Sequence, residues 1–239
     1  VHDGGPVLLD RHLQRLETGC RRLALNVDMN ALSAELSAYA RGLGNGVLKL
    51  IVTRGDSLRG YAADPLAMAR RILQGSPPAA YPTTHAEQGI RLFACTVRLS
   101  EQPLLAGLKH LNRLEQVLAR AEWADSEHAE GLMLDTSGRV IEGVFSNLFL
   151  VRDGVLFTAD LSRCGVAGVM RAELLFQAKS QGIATQITDI SLEQLQDLRT
   201  QASVAHAQLQ SAEFNRGYSV ITAPHEGVIL RKLAEEREV

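Results

Sequence analysis

Lys109 stands in Ala106-Gly107-Leu108-Lys109-His110, between an extended stretch and an amphipathic helix expected over Leu108 to Trp123. It is the only lysine between Lys49 and Lys179. An amine near a helix N-terminus feels the positive end of the peptide dipoles, so its pKa falls. A partly deprotonated lysine can form a Schiff base and abstract a proton; the competing reading is a solvated lysine at a helix end. Glu142 lies in Arg139-Val140-Ile141-Glu142-Gly143-Val144-Phe145-Ser146-Asn147-Leu148-Phe149. A carboxylate inside such an apolar, strand-rich stretch is costly unless paired, and it could hold the protonated ring nitrogen of a pyridine cofactor. The alternative is the solvated face of a hairpin strand.

Gly165-Val166-Ala167-Gly168-Val169-Met170-Arg171 opens a helix with two glycines. Free amides at a helix start attract anions, and glycine lets a phosphate approach, although paired glycines are also common in plain loops. Arg15 lies one residue from the apolar stripe of the first helix. It could reach a phosphate with its fork of donors, or belong to a solvated face with Arg11, Arg21 and Arg22. Arg59 and Tyr61 follow a strand on the loop Arg54 to Tyr61, a placement and chemistry suited to a substrate carboxylate. Arg54 could serve similarly or pair with a buried acid. The seven histidines form no ligand cluster, and no metal is assigned.

These residues need elements to hold them. Val7 to Leu9 reads as a strand end. A helix follows from an N-cap at Asp10, with Leu9, Leu13, Leu16, Cys20 and Leu23 on one face. A second helix fits Met29 to Leu43. Val47 to Thr53 is apolar on both faces except at Lys49 and reads as a central strand; Ala69 to Leu73 reads as another. Gln74 to Thr84, with Gly75, Pro77, Pro78 and Pro82, reads as linker. Strands are expected at Ile90 to Leu99, Gly131 to Leu134, Val140 to Glu142, Asn147 to Val151 and Ile183 to Ile187, with hairpin turns at Asp135 to Gly138 and Arg152 to Gly154. The Leu108 to Trp123 helix carries Leu111, Leu114, Leu118 and Ala121 on its stripe. Another helix spans Gly168 to Gln181 and is closed by Gly182. Ser191-Leu192-Glu193-Gln194 forms a capping box. The fold class is α/β (α+β), in two domains: a small α/β domain at 1–79, a linker at 80–86, and a larger domain with a hairpin-rich sheet or barrel at 87–239.

The chain has 239 residues, 46% of them hydrophobic and 22% charged, enough to bury a core and too apolar for a disordered chain. A net charge of −2 gives no electrostatic reason to expect nucleic acid or an anionic membrane as partner. No apolar run approaches the roughly 20 residues of a membrane helix, and no signal peptide is visible. The three cysteines are far apart, which suits a reducing cytoplasm. The chain starts without methionine, and residues before Val1 are expected.

In order along the chain come a phosphate-seeking arginine, a strand, an arginine-bearing loop, a lysine, an acidic hairpin and a glycine-opened helix. From about Val7 to about Leu198 this resembles the fold-type IV pyridoxal-phosphate enzymes, the class IV aminotransferase family. The run Leu104 to Gln116, with Lys-His-Leu-Asn-Arg-Leu-Glu inside it, and Arg59-Gly60-Tyr61 are most similar to its aminodeoxychorismate lyase branch. The resemblance implies that Lys109 is the Schiff-base lysine and that Glu142, in Glu-Gly-x-x-Ser-Asn-Leu-Phe, pairs the pyridine nitrogen. It implies that Arg15, in His-Leu-Gln-Arg-Leu, binds the phosphate, as do the backbone amides of Val169 and Met170. Val166 would pack on the cofactor ring, and Arg59 and Tyr61 would take a substrate carboxylate.

The activity that this resemblance implies is that of a pyridoxal 5'-phosphate lyase converting 4-amino-4-deoxychorismate to 4-aminobenzoate and pyruvate in folate biosynthesis. The protein would be a cytoplasmic homodimer with a small-molecule substrate and neither nucleic acid nor membrane as partner. A D-amino acid or branched-chain aminotransferase of the same fold is one alternative; a catalytically inactive binding protein is another. Members of the family begin with about 30 further residues that face the cofactor, consistent with a sheet that needs more strands. Thr200 to Gln208 fits the family's phosphate-contacting turn poorly, and no ligand is assigned there.

Overall fold

The structure, a computed structural model, describes residues 1–56, 60–62, 64 and 67–195. Val1–Ala80 falls in one compact unit, and a second begins at Tyr81.

The first unit contains helix α1 (Leu9–Arg22), helix α2 (Met29–Leu43) and the antiparallel pair β1 (Val47–Thr53) and β2 (Arg70–Ser76). Cys20, Leu32, Leu36 and Ala40 form its buried face. Asp28 caps α2, accepting the Asn30 and Ala31 amides at 3.0 Å each. Three expectations need correction. Val7 to Leu9 is not a strand end: Leu8 adopts a left-handed backbone (φ 50°) and α1 starts one residue later without a side-chain cap, so Asp10 lies in its first turn rather than at the N-cap. Among the described residues β1 pairs with β2 alone, so it is not central there; Val47 is exposed and its other apolar residues are half-buried. The second strand runs on through Gly75 and Ser76, where the Gly75 amide donates to the Tyr39 hydroxyl (3.0 Å), so the first residues of the expected linker are strand.

The second unit carries a short helix α3 (Thr84–Gln88), then β3 (Arg91–Leu99), helix α4 (Leu114–Arg120), the hairpin β4 (His128–Asp135) and β5 (Arg139–Gly143), and the hairpin β6 (Phe149–Arg152) and β7 (Val155–Ala159). Helix α5 (Val169–Ser180), β8 (Thr185–Thr188) and β9 (Ile190–Ser191) complete it. One sheet has the order β3-β4-β5-β9, with β3 and β4 parallel; the other has the order β6-β7-β8, with β7 and β8 parallel across α5. Leu99, Met133, Val140, Leu148 and Ile190 lie at the centre of the core. Residues of β6 and β7 pack on Leu174 and Ala178 of α5. The capping box forms as expected: the Ser191 amide donates to Gln194 Oε1 (2.8 Å) and the Gln194 amide to Ser191 Oγ (3.1 Å).

The expected helix over Leu108 to Trp123 is the largest departure. Only Leu114–Arg120 is helical, and its apolar stripe faces outward. Leu111, Leu114, Val117 and Leu118 are exposed, whereas Gln116, Ala119 and Trp123 are buried. The segment ahead of it is held by other forces. The Arg113 guanidinium donates to the carbonyls of Leu108 and His110, and Glu115 accepts the Ser100 amide at 2.9 Å. These tie residues 108–113 into a loop before a helix can begin.

A buried carboxylate fixes the β4–β5 hairpin. Asp135, fully buried, accepts the Ser137 amide (3.0 Å), the Arg139 amide (2.9 Å) and Arg139 Nε (2.7 Å), closing the turn. Met133 pairs Glu142 and Leu134 pairs Val140, leaving Ile141 as an extra residue on β5. This bulge turns Ile141 and Glu142 both inward, each 3% exposed.

Candidate functional site

Three segments of the second unit converge. Gly107, at φ 77°, pairs in parallel with Val166: its amide donates to the Gly165 carbonyl (2.9 Å) and its carbonyl accepts the Ala167 amide (3.0 Å). Glu142 Oε2 accepts the Val166 amide at 2.8 Å. Lys109, two residues after the bridge, is near enough that its charge lowers the Glu142 pKa. Lys109, Glu142 and Val166 are therefore brought together.

Lys109 is not at a helix N-terminus. It lies in the loop before α4 and is exposed, so the helix dipole invoked from the sequence does not act on it as supposed. Glu142 is the opposite case, for its burial removes the solvated-hairpin reading. Burial pushes it up to about 7, against the Val166 hydrogen bond, the charges of Arg113 and Lys109 and the Gln116 amide, all of which pull it down. The Gln116 side chain is buried beside it, yet neither of its polar atoms completes a hydrogen bond of standard geometry.

The segment between Glu142 and α5 is built from polar clamps. The Asn147 side chain donates to the Val166 carbonyl (2.8 Å) and accepts the Gly168 amide (3.1 Å). A Cβ on Gly168 would stand 2.2 Å from Asn147 Oδ1, and one on Gly165 (φ 82°) would stand 2.8 Å from both Ile141 Cγ2 and Leu161 Cδ2. Both glycines are thus required by close approach. Glu130, 1% exposed, accepts the amides of Gly131 (2.9 Å), Val144 (3.1 Å) and Phe145 (3.4 Å) and the Ser146 hydroxyl (2.7 Å). It shapes the turn that follows Glu142. Its pKa is raised by burial, which outweighs these donors.

Val169 and Met170 form the first turn of α5. The N-cap is Gly168 and no side chain caps the helix, so this turn offers amides to an anion. Val169 is buried and Met170 half-buried. Arg15 belongs to the first unit, half-buried in the middle of α1, its pKa lowered by burial. Tyr61, in the same unit, is fully exposed. Arg59 lies outside the described residues, as do residues 200–208. The Arg54 guanidinium donates to the Leu23 and Ala24 carbonyls at the end of α1, and among the described residues it meets no acid.

A primary amine, a buried carboxylate and an uncapped helix start are the donor set that a phosphorylated pyridine aldehyde requires. Reading the sequence missed Arg113, Gln116, Glu130 and Asn147. Arg113 and Asn147 lie inside the motifs Lys-His-Leu-Asn-Arg and Glu-Gly-x-x-Ser-Asn, which were the available signal. Nothing in the sequence marks Glu130 or the inward turn of Gln116.

The family profile for amino-transferase class IV matches residues 1–203. The chain belongs to the class IV amino-transferase family. The crystal structure of a 4-amino-4-deoxychorismate lyase from Pseudomonas aeruginosa is 64% identical, with a TM-score of 0.81 over 84% of this chain and 73% of that one. An aminodeoxychorismate lyase of Vibrio harveyi is 40% identical over 168 residues, 70% of this chain and 60% of that protein. The branched-chain amino acid aminotransferase of T.th. with pyridoxamine 5'-phosphate shares the fold, with a TM-score of 0.66 at 23% identity over 78% of this chain and 63% of its own. The chain thus spans less than two thirds of the Vibrio relative's length.

Proposed function

We propose that this protein is a pyridoxal 5'-phosphate-dependent lyase that converts 4-amino-4-deoxychorismate to 4-aminobenzoate and pyruvate, acting in the cytoplasm as a homodimer in folate biosynthesis. The observation that carries the reading is the meeting of Lys109, the 3%-exposed Glu142 and the glycine-opened start of α5 around the Gly107–Val166 bridge. The likeness to the Pseudomonas and Vibrio lyases supports this chemistry over transamination.

Pyridoxal phosphate, when bound, supplies an electron sink for the charge left by proton loss at the carbon next to the substrate nitrogen. Lys109 Nζ would hold the cofactor and would act as the base for that proton. Glu142 would favour a proton on the pyridine nitrogen, because a carboxylate in a dry setting favours a positive partner. The Val169 and Met170 amides would hold the phosphate, the Arg15 guanidinium has the donors to bind it, and Val166 would pack on the ring. Arg59 and Tyr61 orient a substrate carboxylate. Departure of pyruvate leaves an aromatic ring, which supplies much of the driving force.

The test is Lys109→Ala in the full-length protein. Turnover of aminodeoxychorismate to pyruvate and the visible absorbance of the lysine-bound cofactor both vanish, and borohydride with peptide mass spectrometry places the cofactor on Lys109 in the parent. Retention of both signals overturns the assignment. Exchange of an amino group with a keto acid, without pyruvate release from aminodeoxychorismate, identifies an aminotransferase instead.

A further inference from the structure

Arg113 contributes to the site through its neighbours. Its Nε donates to the His110 carbonyl at 3.2 Å and its Nη2 to the Leu108 carbonyl, so one guanidinium grips the backbone on both sides of Lys109. Its charge also acts on Glu142, and more strongly than that of Lys109 does. We propose that Arg113 is a positioning residue that holds the Lys109 backbone from both sides and is the constant positive charge that favours the ionised form of Glu142 while the charge on Lys109 changes.

A lysine that anchors a carbonyl compound and then acts as a base spends part of each cycle neutral; that much rests on the lyase assignment. A guanidinium does not deprotonate in a protein. The other groups facing Glu142 contribute less positive charge than Arg113. The Val166 amide and Gln116 carry no net charge, and Cys164 is a buried thiol pushed up to about 12, chiefly by burial. Arg171, on α5, also feels Glu142 and stays charged while its guanidinium donates to Thr158 Oγ1 (3.2 Å) and the Ala159 carbonyl (2.9 Å), but Arg113 and Lys109 are the charges that act on Glu142 most strongly. With Lys109 neutral, Arg113 is the cation that remains on the Lys109 side of the carboxylate.

The test is the titration of Glu142 in the full chain stripped of cofactor, followed by carboxyl carbon NMR on protein labelled at glutamate and assigned with Glu142→Gln. Arg113→Gln raises the Glu142 midpoint by about one pH unit, a roughly tenfold weaker acid. Arg113→Lys keeps the midpoint near the parental value, but its single ammonium cannot grip both carbonyls, so amide exchange across residues 108–110 accelerates. Should Arg113→Gln not fold, Lys109→Gln decides the charge role: with Arg113 in place its midpoint moves by less than about half a unit, and a rise of a full unit overturns the proposal. An unchanged midpoint in folded Arg113→Gln overturns it equally, and unchanged exchange in Arg113→Lys removes the gripping role. Because these readouts need no cofactor, a failure of the lyase assignment shows separately, as a protein with the same Glu142 behaviour that takes up no pyridoxal phosphate.

Discussion

Glu142 accepts the Val166 amide hydrogen at 2.8 Å, so the acid on β5 and the segment that opens α5 move as one piece. Both sides of this contact are set by their own strands and clamps: the β5 bulge turns the carboxylate inward, and Asn147 holds the carbonyl of the same Val166. A displacement on either side is felt on the other.

The raised pKa of Glu142 has a consequence for stability. The group titrates near 4.5 when unfolded and at about 7 when folded, so the native state binds more protons between these values. Its contribution to stability is therefore full below about pH 4.5 and is lost as pH rises through 7. Glu142→Gln keeps an acceptor for Val166 without the charge. Urea unfolding at about pH 5 and pH 8 will show the variant gaining up to about 3 kcal/mol on the parent at the higher pH, at roughly 1.4 kcal/mol per unit, while lyase activity falls. A difference that does not vary with pH argues against the raised value.

Asn147→Ala leaves the Val166 carbonyl and the Gly168 amide without their side-chain partner. The cost is about 2–3 kcal/mol for two partly buried groups. The start of α5 loosens, so phosphate-bearing ligands bind more weakly. Calorimetric melting together with pyridoxal phosphate titration checks both effects, and a variant with parental values in each would show the clamp to be idle.

Gly165→Ala sets a methyl group into Ile141 and Leu161 and 3.3 Å from Glu142 Oε2, at a backbone angle unfavourable to alanine. Loss of more than about 3 kcal/mol of stability is expected. Gly138→Ala is a control that shares the positive φ but has nothing within 4 Å, and it loses less. Chemical denaturation of the two variants side by side makes the comparison, and equal losses would show that backbone angle alone, not crowding at Glu142, sets the cost.

Glu130→Gln replaces one acceptor oxygen by a donor among three amides and a hydroxyl that all donate. About 2 kcal/mol of stability is lost, and hydrogen exchange of the amides at 143–147 speeds up, since the turn loses its anchor. Exchange rates equal to the parent's would show that the strands alone hold this turn.

Helix α2 and strand β1 were legible in the sequence to the residue, whereas β4 starts three residues before its expected Gly131. Met29–Leu43 carries a strong cap at Asp28, and Val47–Thr53 is a β-rich run bounded by a glycine turn, so local preference and tertiary structure agree. The α4 segment was misread because its stripe of leucines predicts the wrong inward face: Gln116 is inside near Glu142, and Arg113 unwinds the first turns onto the Lys109 loop. Hydrophobic spacing does not register a polar residue recruited inward by a carboxylate. Lys109 and Glu142 could be named from their motifs, and the meeting of the two follows from a bulge and a parallel bridge, which have no local pattern. Glu130 shows the same limit, for its four donors come from residues 131 to 146 and no spacing in the chain announces the turn.

Burial of the cysteines gives the molecule a chemical clock. All three are free and buried: Cys20 in the first unit, Cys95 and Cys164 in the second. Burial pushes Cys95 up to about 11 and Cys164 up to about 12, so in the closed protein neither presents the thiolate that alkylating reagents require. Reaction must wait for a segment to open, and the rate of labelling at each cysteine counts those openings. Cys164 directly precedes Gly165, so its alkylation rate times the breathing of the backbone beside Glu142, while Cys20 times the first unit, with no residue replaced.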